Sequence, residues 1–168
     1  MMSCKDLSQK DQIHINTKTL KHVLSKMLGK SISHADYHAQ ELHGGTLGEV
    51  RLVTGTAVTT DDDCLPYKVV WKKQKKWDRP GDQDSWRREY DLYASDLGKA
   101  FTGSFSRPEC YHAEMNCDEI QIWMEYIDGI SGRNLTIEML ETAALELGRF
   151  QGRIAAHPDA HRYRRSQE

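Results

Sequence analysis

No stretch of this sequence approaches the ~18 consecutive apolar residues that a membrane-spanning helix requires, so no membrane partner is expected. Charge of one sign is not in excess either: 23 Lys and Arg stand against 25 Asp and Glu, for a net charge of -2. That near balance exerts no global pull toward nucleic acid or an anionic surface. Cysteine is sparse, and Cys4, Cys64, Cys110 and Cys117 form no C-x-x-C pair. Cys110, His112 and Cys117 are close enough in sequence to raise a zinc reading, because thiolate and imidazole are good ligands for that ion. A tetrahedral site needs a fourth partner at a sensible spacing, so reduced cysteines in a hairpin are the expectation and no metal is assigned. The amino terminus, Met1-Met2-Ser3-Cys4-Lys5-Asp6, lacks the charged-then-apolar order of a signal peptide. A cytoplasmic location is the default. There is no internal repeat and no low-complexity tract.

What is present is a chain of 168 residues, 38% hydrophobic and 29% charged, the composition of a globular protein with a core. Residues 17 to 28 read as an amphipathic helix: Thr17 can cap it, Leu20, Val23, Leu24, Met27 and Leu28 form one stripe, and Gly29 can end it. A short mixed segment from Ala35 to Leu42, a glycine cluster, and a β-branched run from Val50 to Val58 read as strand, turn, strand. Asp61-Asp62-Asp63 marks a solvated turn before a third strand from Tyr67 to Lys73. Trp77 to Asp84 is a loop. Asp84 or Ser85 can cap a helix carrying Trp86, Tyr90, Tyr93 and Leu97 on one face, with Gly98 closing it. Glu89 falls on that same side.

Cys110 to Met115 and Glu119 to Ile127 alternate as two strands around Asn116-Cys117-Asp118, with Ile120, Ile122, Met124 and Tyr126 on one side. Thr136 can cap a last helix bearing Leu140, Ala143, Leu147, Phe150 and Ile154, with Pro158 at its end. Ala144, Gly148 and Gly152 fall four apart and leave a smooth groove along it. Glycine inside a helix costs about 1 kcal/mol relative to alanine, so a packing reason is expected. The predicted fold is α+β, an antiparallel sheet of about five strands with a packed helix. An N-terminal helical extension occupies 1–32, the sheet lobe 33–129, and a linker helix with its tail 130–168.

Four segments carry chemistry. The first is Gly44-Gly45-Thr46-Leu47-Gly48-Glu49-Val50. Backbone N–H groups can point at phosphate oxygens only where no side chain blocks the approach, and His43-x-Gly45-x-x-Gly48-x-Val50 fits G-x-G-x-x-G-x-V with histidine for the first glycine. A glycine-rich hairpin turn is the plainer alternative. In the second, Val69-Val70-Trp71-Lys72, Val70 and Lys72 share a strand face; a solvated basic strand is the alternative. Third, Glu89 lies seventeen positions beyond Lys72, where it could hold the lysine, or instead pair with Arg88 or Lys99 at the surface. The fourth is Trp123-Met124-Glu125-Tyr126-Ile127-Asp128-Gly129, a strand ending at a glycine turn.

In that order and spacing these segments resemble the small lobe of the aminoglycoside phosphotransferase and choline kinase-like family, whose fold is related to the protein kinases. The resemblance covers residues 33 to 156 by pattern. It implies an ATP site in which Gly44, Gly45 and Gly48 cover the phosphates and Val50 and Val70 meet adenine. It also implies that Lys72, held by Glu89, pairs the α- and β-phosphates, and that main-chain groups near Glu125 and Ile127 meet the adenine edge. The family's catalytic loop, H-G-D-x-x-x-x-N, and its later metal-binding aspartate are not found. His157-Pro158-Asp159 imitates the loop's start, but Arg164 stands where asparagine should hold Mg²⁺. No catalytic residue is therefore assigned, and the expectation is a truncated or split member that holds ATP weakly. Mg²⁺ would bind only with a complementing C-lobe, brought by another chain or replaced by self-association through residues 137–156.

A binding module without nucleotide chemistry is the second reading. Trp71 and Trp77 interleave with Lys72, Lys73, Lys75, Lys76 and Arg79, a basic and aromatic strip that could track a single strand. Asp61 to Asp63 and the net acidity of the chain weigh against nucleic acid.

Overall fold

The computed structural model describes residues 15–42, 48–95, 101, 105–130 and 132–156. By internal contacts the chain divides into two units, residues 1–77 with 110–126, and residues 78–109 with 127–168.

The first unit is an antiparallel sheet with one helix packed on it. Helix α1 spans Thr17–Leu28. Its cap is Asn16 rather than Thr17: the Asn16 side chain accepts from the backbone N–H of Lys18 at 2.9 Å and of Thr19 at 3.3 Å. This satisfies two of the donors that a helix start leaves open. Gly29 ends the helix with φ 66, a conformation costly for a residue with a Cβ. The strands are β1 (Ile32–Ala35), β2 (His38–Glu41), β3 (Glu49–Thr59), β4 (Cys64–Lys75), β5 (Cys110–Met115) and β6 (Glu119–Glu125). All pair antiparallel, in the order β1-β3-β4-β6-β5, with β2 also pairing β3. The fold is thus α+β, as the alternation of residue types predicts.

Strand β4 starts at Cys64, three residues before the expected Tyr67, because the β3–β4 turn is tight. Asp62 takes φ 64 and the Thr59 hydroxyl accepts from the backbone N–H of Asp61 and of Asp63. Short polar residues tolerate the left-handed conformation such a turn needs. The core lies between α1 and one sheet face. Leu20, Val23 and Leu24 are fully buried, packed with Val53, Ala57, Tyr67, Val69, Trp71, Tyr111 and Trp123. The Trp71 and Trp123 rings lie 6.0 Å apart, tilted by 37°. The segment expected as an N-terminal extension therefore supplies one whole layer of this unit.

In the second unit, a 3₁₀ turn (Ser85–Arg87) leads into α2 (Arg88–Ala94). The helix expected from Trp86 to Leu97 is shorter than its periodicity suggests: Trp86 is buried in the 3₁₀ turn and α2 ends at Ala94, while Leu97 and Gly98 fall outside the described residues. Helix α3 spans Ile137–Ala156, and the Thr136 hydroxyl accepts from the Met139 N–H at 3.3 Å, the cap that the sequence suggests. Phe150 of α3 meets Phe101 at 4.5 Å and Phe105 at 5.0 Å, centroid to centroid. No described helix is long and apolar enough to cross a membrane.

Candidate functional site

Strand β4 runs between β3 and β6, so residues far apart in sequence become lateral neighbours. Val50, Lys72 and Ile122 stand in one row across the three strands, and Leu52, Val70 and Met124 in the next. Because successive side chains alternate, these six share one sheet face while Val69 and Trp71 face α1. Val70 is 8% exposed, and Ile122 and Met124 are buried; Val50, Leu52 and Lys72 are half-buried. The face is therefore apolar and largely buried, with one half-buried ammonium at its end. Lys72 lies two residues, roughly 7 Å of strand, beyond Val70.

Gly48 stands one residue before β3. Its φ is +120, and a Cβ added there would lie 2.8 Å from the Lys73 carbonyl oxygen. Conformation and clearance both demand glycine at this point. Gly44 and Gly45 lie outside the described residues. Glu125 ends β6 opposite Val69, which turns its side chain toward the α1 face and leaves main-chain groups at the strand end. Ile127 follows it, 57% exposed. Glu89 occupies the first turn of α2, half-buried, in the other unit from Lys72.

The lysines around Lys72 are sorted by the pleat. Lys73 pairs with Glu119 at 2.9 Å. Glu49, across from Lys73 in the register, is held by Arg51 at 2.5 Å. Where β4 runs out, Gly48, Glu49 and the segment Lys73 to Trp77 line a cleft of about 360 Å³ that Lys72 does not line. Sequence reasoning registered Lys73, Lys75, Lys76 and Trp77 only as part of a strip, and Gly48 and Glu49 only in the glycine segment. Trp71 is not on that strip's surface: it is 5% exposed, and its indole N–H donates to Gln121 Oε1 at 3.1 Å.

A second cleft, of about 460 Å³, lies in the other unit between Phe105 and the Glu138–Glu146 stretch of α3. Among the described residues no group of three or more His, Cys, Asp or Glu side chains is placed to hold a metal ion. The Cys110 thiol donates to the His112 carbonyl and that of Cys117 to Asp118 Oδ2. No protein-family model, no curated protein and no solved structure significantly matches this chain.

Proposed function

We propose that the sheet unit is the ATP-binding small lobe of an aminoglycoside phosphotransferase-like kinase, holding nucleotide weakly and transferring no phosphate by itself. The observation that carries this reading is the three-strand register. It sets Val50, Val70 and Lys72 side by side and brings the end of β6 next to Val69 and Val70. An apolar strand face suits a planar base, an ammonium roughly 7 Å farther along suits the first phosphates, and a bare backbone at Gly48 suits close approach of oxygen. ATP would rest its adenine on Val50 and Val70 with its edge toward the main chain of Glu125. Lys72 would take the phosphates. Bound ATP supplies a transferable phosphoryl group, but transfer depends on positioning and metal charge at the γ-phosphate. No residue assigned here supplies either, so Mg²⁺ belongs to the same reading only with a complementing lobe.

Helix α3 fits that reading. Ile137, Leu140 and Leu147 are 72%, 53% and 41% exposed, and added Cβ atoms at Gly148 and Gly152 would meet nothing within 4 Å. Exposed apolar surface of this kind drives association. A second copy, or a chain bearing the catalytic aspartates, would use it.

Titration calorimetry with Mg-ATP should find millimolar affinity, because one wall of a nucleotide cleft contributes only part of the contact. Lys72→Ala should weaken it further, while Lys73→Ala, whose ammonium is engaged by Glu119, should leave it unchanged. Submicromolar affinity, or equal binding by wild type and Lys72→Ala, would overturn the proposal.

A further inference from the structure

We infer that the cleft at the end of β4, which Lys72 does not line, is a second binding site, for a small phosphate-class dianion. The cleft lies wholly within the sheet unit, between Gly48 and the segment Lys73 to Trp77. Its volume of about 360 Å³ is at the small end of the ~300–1,000 Å³ typical of ligand pockets.

Charge decides what it would take. Of the ionised groups in its wall, Lys73 is neutralised by Glu119 and Glu49 by Arg51. Lys75 and Lys76 are exposed, and among the described residues neither has an acidic partner. Two lysines without an ion-pair partner among the described residues therefore line one concavity, Lys75 standing across from the Glu119 that Lys73 engages. Lysine serves as a point charge for phosphate, and a phosphate monoester near neutral pH carries about -1.5 to -2, which matches this pair better than a single carboxylate does. The half-buried Trp77 closes the cleft with an apolar wall. Gly48, without a side chain, also lines it.

The same geometry argues against a nucleic-acid strand. A strand needs a continuous track of cations and exposed rings. Here the Trp71 ring is in the core and Lys72 is on the opposite face from Lys73. What remains is a site for one anionic group.

The test is a titration of the ¹⁵N-labelled chain with pyrophosphate, against sodium chloride at matched ionic strength. The amide resonances of Lys75, Lys76 and Trp77 should shift saturably with pyrophosphate and not with chloride. Lys75→Ala with Lys76→Ala, both at exposed positions where folding is little affected, should weaken binding at least about tenfold, while Lys72→Ala should not. Equal shifts with chloride, or loss of binding in Lys72→Ala, would overturn the inference; the latter would return the anion to the ATP face. An oligonucleotide of five residues that shifts these amides and binds more than about tenfold tighter than pyrophosphate would overturn it in favour of a strand-binding surface.

Discussion

Tyr67 shows how a single residue ties the sheet together. Its ring is 4% exposed, and its hydroxyl donates to the Asp36 carbonyl at 2.6 Å, between β1 and β2. The Asp36 carboxylate in turn accepts from the Thr56 N–H at 2.8 Å, beside Gly55, where an added Cβ would collide with that same Asp36 carbonyl. Burial, and then the neighbouring charge of Asp36, push the Tyr67 phenol well above its ordinary value. The folded state thus favours the protonated form. The stability this contributes is fully present below the unfolded pKa of about 10 and is lost as pH rises beyond it. Tyr67→Phe should cost about 1 kcal/mol near neutral pH, the net worth of one hydrogen bond. Urea denaturation at pH 8 and pH 11 should show the wild type losing more stability over that interval than the variant does.

At the scale of elements, α1 and the sheet are one packing problem. The stripe Leu20, Val23, Leu24, Met27 and Leu28 is legible from spacing alone, since apolar residues at helical period must face something apolar. Its target is not legible, because Tyr111 and Trp123 reach it only through the β4–β6–β5 order. Leu24→Ala should therefore destabilise the chain by about 2–5 kcal/mol, the range for deleting a buried leucine side chain. Asn16→Ala, which removes only the cap, should cost about 1 kcal/mol. Thermal unfolding of the two variants checks the ranking; comparable losses would mean that α1 is held by its cap rather than by its packing. Strand β6 is a similar case. Alternation reads Ile120, Ile122 and Met124 as one buried side, yet Trp123 on the other side is 1% exposed, so side chains on both faces of that strand are buried.

For the whole molecule, the described part of α3 is the element least accounted for by its own fold. None of its described residues is buried, and Leu140, Leu145 and Leu147 are more than two-fifths exposed. Exposed apolar surface on this scale favours association, so the purified chain should run above its monomer mass in size-exclusion chromatography. Leu147→Arg should return it toward the monomer, because a buried unpaired guanidinium is costly. A monodisperse monomer for both proteins would remove α3 as an interface.

The sequence by itself determined which elements form and which side chains can share a face, because helix and strand periods and turn chemistry are local properties. Gly29, Thr136 and the Asp61–Asp63 turn all act through atoms within a few residues. From the same local information came the pairing of Val70 with Lys72, two apart on one strand. Helix ends were less legible: Trp86 and Tyr90 suggested one long helix where a 3₁₀ turn and a short α-helix stand. Only the tertiary structure decided that Lys73 is neutralised by Glu119, that Trp71 leaves the basic strip for the core, and that Gly48 must clear the Lys73 carbonyl. Those facts depend on which strand lies beside which, and strand order is set by long-range burial that no local period encodes.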